Sequence, residues 1–240
     1  MTGVTLFATC LGEMLFPEVP AAAETVLKRL RLNVRRLRRS FCCGQAAFNE
    51  GLRDEALALA RGFLNACKPG TPIIVPSGSC TSMLRVFYPD LLAGEPRLLE
   101  KYAALRPWIF EFSEFLVNVL KVTDVGARFE RPVAYHPSCH LMRELNLMRE
   151  PEILLNGVRG IKIRELKNNT ECCGFGGLFS VKFPHISTAM LDDKLTCVKA
   201  SGAEVVVAND SGCLMQIGGG LHRQQAAIET RHLAEILASR

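Results

Sequence analysis

The sequence predicts an α/β protein of two pseudo-symmetric repeats, each with a small, mainly parallel sheet and flanking helices. Apolar runs of strand length alternate with helical patterns along the chain, which is typical of parallel sheets covered by helices. The triplet Cys-Cys-Gly occurs twice, at residues 42–44 and 172–174, and further cysteines stand at nearly matching distances on both sides. With 240 residues, the chain is long enough for two such units, which we predict at residues 1–125 and 126–240.

The first repeat has the order strand, helix, strand, helix, strand. Strands are predicted at residues 4–8, 33–37 and 72–76, and helices at residues 20–30 and 53–66. Pro20 suits the first turn of a helix, and the run at residues 72–76 is apolar throughout, as in a strand buried on both faces. Residues 81–131 are additional material that is mainly helical by pattern.

The second repeat has the same order. Strands are predicted at residues 132–135, 161–166 and 204–208, a helix at residues 184–200, and a last strand near Ala227 before a helix at residues 231–238. The repetition of both the elements and the cysteines indicates that one ancestral unit occurs twice.

Eight cysteines form two quartets, and each cysteine follows the end of a predicted strand. The first quartet is Cys10, Cys42, Cys43 and Cys80, and the second is Cys139, Cys172, Cys173 and Cys213. The gaps before and after the cysteine pair are 32 and 37 residues in the first quartet and 33 and 40 in the second. Because ligands bind at the carboxyl ends of parallel strands, we predict that loops at this edge bring the four thiols of each repeat together.

Four thiols at one place indicate a soft metal centre: zinc, copper(I) or an iron–sulfur cluster. Structural zinc commonly uses Cys-x2-Cys pairs, and neither repeat has a complete pair of that kind. Adjacent cysteines suit a cluster with several iron atoms better, and the following glycine lets backbone N–H groups approach its sulfides. The spacing therefore favours iron–sulfur over zinc, although zinc in one half stays open.

Several motifs surround the quartets. They are Thr9-Cys10-Leu11, Cys42-Cys43-Gly44-Gln45, Pro76-Ser77-Gly78-Ser79-Cys80, Cys172-Cys173-Gly174-Phe175-Gly176-Gly177, Gly212-Cys213-Leu214-Met215 and His232-Leu233-Ala234-Glu235. Together they resemble the cysteine-rich domain family to which the B-type component of heterodisulfide reductase, the glycolate oxidase iron–sulfur subunit and lactate-utilisation proteins belong. The likeness extends over nearly the whole chain.

The resemblance implies an iron–sulfur electron-transfer subunit in a complex that oxidises L-lactate to pyruvate. It implies one or two clusters per chain, of the [4Fe–4S] type, and two partners, a B-type ferredoxin-like iron–sulfur protein and a C-type protein. A thiol–disulfide redox enzyme like heterodisulfide reductase is one alternative. A zinc-stabilised assembly subunit without a redox role is another.

The chain departs from the family pattern at two positions. The first cysteine of each terminal Cys-x2-Cys pair is replaced, by Ser77 in the first repeat and by Asp210 in the second. Five cysteines can hold a non-cubane [4Fe–4S] cluster in the family, whereas four remain in each half here. The oxygens of Ser77 and Asp210 are candidate additional ligands, but a side chain that hydrogen-bonds its own turn is the favoured interpretation.

Four further residues are candidates outside the quartets. His136 and His140 flank Cys139, and either is a candidate catalytic residue that hydrogen-bonds a sulfur or relays a proton, with a structural role equally open. These histidines and Asp210 lead us to expect that the second quartet is the more functional one. Cys67 and Cys197 are predicted to be small buried hydrophobic residues.

Composition limits the location and the partners. No apolar run of about 18 residues is present, and the N-terminus has no signal-peptide pattern, so we expect a cytoplasmic protein with reduced thiols. The net charge of +5 comes from residues 28–39, which hold seven cations and no acid. Without interleaved aromatic residues, this segment is interpreted as a solvated strand face, with an acidic partner or anionic surface as the alternative and no nucleic acid.

Overall fold

The computed structural model describes residues 3–37 and 42–240. In its first half, four parallel strands are ordered β2-β1-β3-β4, namely β1 (Gly3–Leu6), β2 (Asn33–Arg36), β3 (Ile73–Val75) and β4 (Ile109–Glu111). The helices are α1 (Cys10–Met14), α2 (Glu18–Arg29), α3 (Gln45–Asn49), α4 (Arg53–Ala66), α5 (Gly78–Ser82), α6 (Tyr88–Leu91), α7 (Pro96–Leu105) and α8 (Phe112–Glu114). Wider π-helical turns cover Met83–Phe87 and Phe115–Val119, and a 3₁₀ turn covers Arg106–Trp108.

The second half repeats this arrangement. Its parallel strands are ordered β6-β5-β7-β8, namely β5 (Pro132–His136), β6 (Lys162–Arg164), β7 (Val205–Ala208) and β8 (Glu229–His232). The helices are α9 (Cys139–Arg143), α10 (Arg149–Asn156), α11 (Phe179–Lys182), α12 (Pro184–Ala200), α13 (Ser211–Arg223) and α14 (Leu233–Ala238). The predicted α/β fold with two pseudo-symmetric halves is confirmed.

The mainly helical pattern predicted for residues 81–131 agrees with α6, α7 and α8, but this material also contains strand β4, which was not predicted. Its three residues, Ile109 to Glu111, lie between a 3₁₀ turn and a helix and pair with β3. A strand this short shows no alternation of apolar and polar residues, so the sequence pattern does not reveal it. In the second half, β8 occupies the equivalent edge of the sheet.

The two halves share a hydrophobic core. Buried residues of both sheets, such as Val4 and Val133, belong to one cluster, and α2 of the first half packs against α14 of the second. The Arg29 guanidinium donates hydrogen bonds to the carbonyls of Leu237 at 3.0 Å and Ala238 at 2.6 Å, which satisfies the last turn of α14. The domain boundary at residues 125 and 126 stays a prediction.

Four of the eight quartet cysteines lie in the first turn of a helix. Cys10 and Cys139 open α1 and α9, and Cys80 and Cys213 lie in the first turns of α5 and α13. The N-terminus of a helix carries unpaired N–H groups and a partial positive charge, both of which favour thiolate. The cysteine pairs instead lie on the loops that follow β2 and β6. Within the described ranges, no helix is long and apolar enough to cross a membrane.

Candidate metal centre

Both quartets face one cavity between the halves. Its volume is about 250 Å³, and all eight quartet cysteines line it. The cavity lies at the carboxyl ends of both sheets, where the predicted loops and helix starts converge. The second half packs α9 against α5 of the first, and α1 of the first half approaches α13 of the second, so each half closes the other's side of the cavity.

The first quartet consists of two thiol pairs in contact. The Sγ atoms of Cys10 and Cys42 are 3.7 Å apart, and those of Cys43 and Cys80 are 3.3 Å apart. The backbone N–H of Gly44 donates to Sγ of Cys42 at 3.4 Å. Spacings of more than thirty residues along the chain therefore become sulfur–sulfur contacts.

The second quartet has the same turn and adds a histidine. The N–H of Gly174 donates to Sγ of Cys172 at 3.4 Å, as in the first half. A ring nitrogen of His136 and the sulfurs of Cys173 and Cys213 all lie within 4.8 Å of one another, and all three residues are buried. The Cys173 thiol and, more weakly, His136 lower the pKa of Cys213 against the opposing effect of burial.

In both halves, one hydrogen bond between two thiols lowers the pKa of the accepting sulfur and raises the pKa of the donor. The bond from Cys10 lowers the pKa of Cys42, and the bond from Cys139 lowers the pKa of Cys172. The same bonds, together with burial, raise the pKa values of the donors Cys10 and Cys139. The first quartet therefore holds one sulfur with a lowered pKa, Cys42, and the second holds two, Cys172 and Cys213. Binding of a metal would release protons from the remaining thiols.

Ser77 and Asp210 form a bridge between the halves. The Asp210 carboxylate accepts hydrogen bonds from Oγ of Ser77 at 2.6 Å, from Oγ of Ser79 at 2.7 Å and from the Ser79 N–H at 3.0 Å. Oγ of Ser77 also accepts the N–H of Cys80 at 3.1 Å and so caps α5. Both side chains line the cavity. Their role as additional ligands stays a prediction.

His140 lies against the first half rather than beside its own quartet alone. Its Nε2 is 3.4 Å from Nε2 of Gln45, and its ring contacts the ring of Phe87 edge-on at a centroid distance of 6.5 Å. Its Nδ1 is 3.0 Å from the Glu144 carboxylate. A residue adjacent in sequence to Cys139 thus closes the cavity on the side of Cys42 and Cys43.

Sequence reasoning missed several residues that support the cysteine pairs. The Tyr88 hydroxyl donates to the carbonyl of Cys43 at 3.2 Å, and Phe175 packs on Gly212 beside Cys213, where an added Cβ would lie 2.7 Å from the ring. Lys194 is buried on α12 and donates to the loop before Cys172. Phe175 and Gly212 belong to the cysteine motifs, and Lys194 interrupts an apolar helix face between Leu191 and Leu195, whereas Tyr88 has no comparable sequence signal.

The two remaining cysteines lie outside the cavity lining. Cys67 is buried in the core of the first half, where burial raises its pKa to about 12, and Cys197 is half-buried against the core of the second. In the basic segment, Arg36 and Lys28 both pair with Glu24, at 2.5 Å and 2.6 Å. Arg38 and Arg39, which belong to the same prediction, lie outside the described residues.

The donor set fits an iron–sulfur cluster in each quartet. Four thiols in each half converge from different elements, and a backbone N–H already approaches one sulfur of each pair. In the described part of the chain, both ring nitrogens of His136 and Oγ of Ser138 are buried without a hydrogen-bond partner. Buried polar groups of this kind commonly mark an ion or ligand site, and these two line or adjoin the second quartet.

Comparison with known proteins identifies the two stretches of the chain that contain the cysteine quartets. The family model of the cysteine-rich domain called CCG matches residues 4–85 and 133–218. Lactate utilization protein A of Bacillus subtilis (strain 168) is 41% identical over 237 residues, a match that covers 99% of each chain. The protein of the same name from a strain of Exiguobacterium is 41% identical over 239 residues, covering 99% of this chain and 97% of its own length.

A solved structure resembles the fold. A hypothetical protein from Helicobacter pylori superimposes with a TM-score of 0.62 at 14% identity, over 98% of this chain. The match spans about half of that protein, 48% of its length. At this identity the likeness concerns the fold alone, and it agrees with the two-sheet architecture.

Proposed function

The chain belongs to the cysteine-rich CCG domain family, and from this membership we propose that it is an iron–sulfur electron-transfer subunit of a complex that oxidises L-lactate to pyruvate. The observation that carries the proposal is the convergence of both cysteine quartets on one cavity. The similarity to lactate utilization protein A over the full length of the chain supports lactate as the substrate of the complex.

In the proposed centres, the first quartet holds one [4Fe–4S] cluster and the second holds another. A bound cluster supplies one-electron storage and transfer at a potential that its surroundings set. The protein contributes thiolates, the N–H donors of Gly44 and Gly174, and a cavity closed by both halves. Adjacent cysteines favour a cluster over zinc, because the ligand positions of a cluster are spread over several iron atoms.

The proposed division of labour follows from electron counting. Oxidation of L-lactate to pyruvate releases two electrons and two protons, and two one-electron centres in one cavity accept both electrons in turn. The sequence has no flavin or nicotinamide fingerprint and no ferredoxin motif, so we assign the hydride chemistry and onward transfer to partner subunits. These are a ferredoxin-like B-type iron–sulfur protein and a C-type protein. A cytoplasmic location is part of the proposal, since so many close thiols persist in a reducing compartment.

Metal analysis of anaerobically purified protein tests the proposal. We expect iron and acid-labile sulfide in the wild type. Cys43→Ser and Cys173→Ser should each lose about half of both, because each removes a central ligand of one quartet. Cys67→Ser is the matched control, a buried cysteine of the first half outside the cavity, and should retain the wild-type content. Zinc without iron or sulfide, or equal losses in all three variants, would overturn the proposal.

A further inference from the structure

The two cysteine pairs are covered by equivalent helices, which allows a residue-by-residue comparison. An added Cβ on Gly44 would meet Ala56 and Leu59 of α4, and one on Gly174 would meet Ser187 and Met190 of α12. One offset of 131 residues relates both pairs of helix positions. The residue one turn further along each helix is therefore also equivalent: Phe63 in α4 and Lys194 in α12.

The first of these positions is wholly apolar. Phe63 is fully buried, and its ring contacts those of Phe7 and Tyr88 at centroid distances of 5.2 Å and 6.2 Å. No charge from this position of α4 acts on the Cys43 side of the cavity.

The second position carries a buried cation. Lys194 is 2% exposed, and its Nζ donates to the carbonyl of Asn168 at 2.6 Å and to that of Asn169 at 3.5 Å. These carbonyls belong to the loop that leads into Cys172. Both acceptors are backbone carbonyls, which carry no net charge and do not neutralise the ammonium. The positive charge therefore lies in a region of low dielectric constant without a counter-charge from these acceptors.

Lys194 is tied to the second cysteine pair through this loop, since Asn168 and Asn169 precede Cys172 by four and three residues. Burial lowers the pKa of Lys194, and negative charge on Glu171, Cys197, Cys173 and Cys172 counters this effect. Glu171 is exposed, so water screens its charge, whereas Cys173 is buried. Burying a charged lysine costs free energy. An electrostatic effect of this charge on the C-terminal centre would explain why a lysine occupies the position.

We propose that Lys194 is a positioning residue whose buried charge gives the C-terminal centre the higher reduction potential of the two, so that electrons come to rest there. This inference rests on the proposed function. In the transfer, the N-terminal centre is oxidised by one electron and the C-terminal centre is reduced by one, and no bond forms or breaks. A fixed positive charge stabilises the reduced, more negative centre.

Redox titration followed by electron paramagnetic resonance tests the proposal. The Cys43→Ser background isolates the C-terminal centre, and the Cys173→Ser background isolates the N-terminal one. Lys194→Gln removes the charge but keeps an N–H donor for Asn168, whereas Lys194→Arg keeps the charge. We expect Lys194→Gln to lower the midpoint potential of the C-terminal centre by about 59 mV, a tenfold shift for one electron. Lys194→Arg should restore it, and the N-terminal centre should not move.

Two results of the titration overturn the inference. One is an unchanged C-terminal potential in Lys194→Gln with iron and sulfide retained. The other is an equal shift of both centres, which would indicate a general change of structure. If Lys194→Gln fails to retain its cluster, Lys194→Met provides a second neutral variant for the same titration, and loss of the cluster from Lys194→Arg as well would assign Lys194 to folding alone. A wild type without iron and sulfide would reject the proposed function itself.

Discussion

The two quartets have the same four thiols, but different side chains surround them. Around the first, the supporting side chains are Gln45, Ser79 and Phe63, which are uncharged. Around the second, the equivalent positions hold Phe175, Gly212 and Lys194, and His136 adds a buried ring. The two halves therefore share the four thiols, while the residues that set the polarity and charge around them differ.

The comparison also shows that neighbours in sequence are not the neighbours that matter in the cavity. His140 and Asp210 belong to the second half, yet they contact Gln45 and the Ser77–Ser79 segment of the first. The expectation that the second quartet is the more functional one stays a prediction. Of the groups that prompted it, His136 adjoins that quartet, whereas His140 and Asp210 act on both sides of the cavity.

The largest difference that we predict concerns the glycine after each cysteine pair. Gly44 and Gly174 both have positive φ angles, 88° and 81°. An alanine Cβ would lie 3.4 Å from the Ala56 carbonyl oxygen at Gly44, but 2.6 Å from the Ser187 carbonyl oxygen at Gly174. We expect Gly174→Ala to lower the free energy of unfolding by about 4 kcal/mol, from backbone strain and overpacking together. Gly44→Ala should cost about 1–2 kcal/mol, from strain alone.

Anaerobic urea denaturation measures both values, and iron analysis in the Cys43→Ser and Cys173→Ser backgrounds reports which centre is lost. Gly51→Ala is a control for strain without a clash, since Gly51 has a φ of 75° and nothing within 4 Å of an added Cβ. Equal costs for Gly44→Ala and Gly174→Ala would show that the two turns are packed alike.

The next effect is expected at the bridge between the halves. Asp210→Ala removes an acceptor that binds Ser77 and Ser79, and we expect a loss of roughly 3 kcal/mol in the free energy of unfolding. Asp210→Asn keeps an acceptor oxygen and should cost about 1 kcal/mol. Because Ser77 caps the helix that carries Cys80, iron should be lost from the N-terminal centre. Loss from the C-terminal centre alone would mean that Asp210 acts on its own quartet.

The fold was predictable from the sequence because its signals are long or repeated. The predicted helices at residues 53–66 and 184–200 agree with α4 and α12, and the apolar run before Ser77 is β3. Strand β4 was not predictable, since Ile109-Phe110-Glu111 is too short to show a period. Helix starts at Cys10 and Cys139 were also missed, because a single turn has no amphipathic pattern.

The candidate site was predictable in its residue types but not in its contacts. The duplicated spacing indicates which thiols belong together, and they meet as sulfur contacts at Cys10 and Cys42 and at Cys43 and Cys80. Contacts across the pseudo-symmetric interface, such as Asp210 to Ser79, depend on how two halves dock. Docking geometry is a tertiary property, and one sequence without relatives carries no local signal for it.

A third comparison concerns two buried titratable residues at equivalent edges of the two sheets, one an acid and the other a base. Glu111 ends β4 and caps α8, and His232 ends β8 and caps α14. Asn209 contacts both: its side-chain N–H donates to Glu111 at 2.9 Å, and its carbonyl is 2.9 Å from Nε2 of His232. Burial raises the pKa of Glu111 to about 7 and lowers the pKa of His232.

The pH dependences of stability should therefore have opposite signs. The stabilising contribution of protonated Glu111 is complete below its unfolded pKa, near 4.5, and is lost as the pH rises through about 7. Neutral His232 contributes stability above its unfolded pKa, near 6.5, and loses it as the pH falls. Relative to wild type, Glu111→Gln should gain up to about 3 kcal/mol between pH 4.5 and pH 7.5. Relative to wild type, His232→Gln should lose stability as the pH rises towards about 6.5 and should show no further change above it.

Urea denaturation at several pH values, with Glu130→Gln as an exposed control, measures these slopes. A Glu111→Gln variant whose stability runs parallel to wild type across the range would show that Glu111 titrates normally.

The smallest effect is expected at the contact between Gln45 and His140. His140 is partly exposed, with 30% of its side chain accessible, and its bonds to Gln45 and Glu144 compete with water. We therefore expect His140→Asn to lower the free energy of unfolding by about 0.5–1 kcal/mol and to leave iron and sulfide unchanged. Gln45→Ala should cost a similar amount, and the double variant should show a coupling below about 1 kcal/mol, since the two residues share one contact.

Because the contact joins the halves at the cavity wall, its loss widens the cavity without removing a ligand. Loss of iron from either centre in His140→Asn would instead identify the histidine as a ligand, and the two quartets would then differ in their donors as well as in their walls.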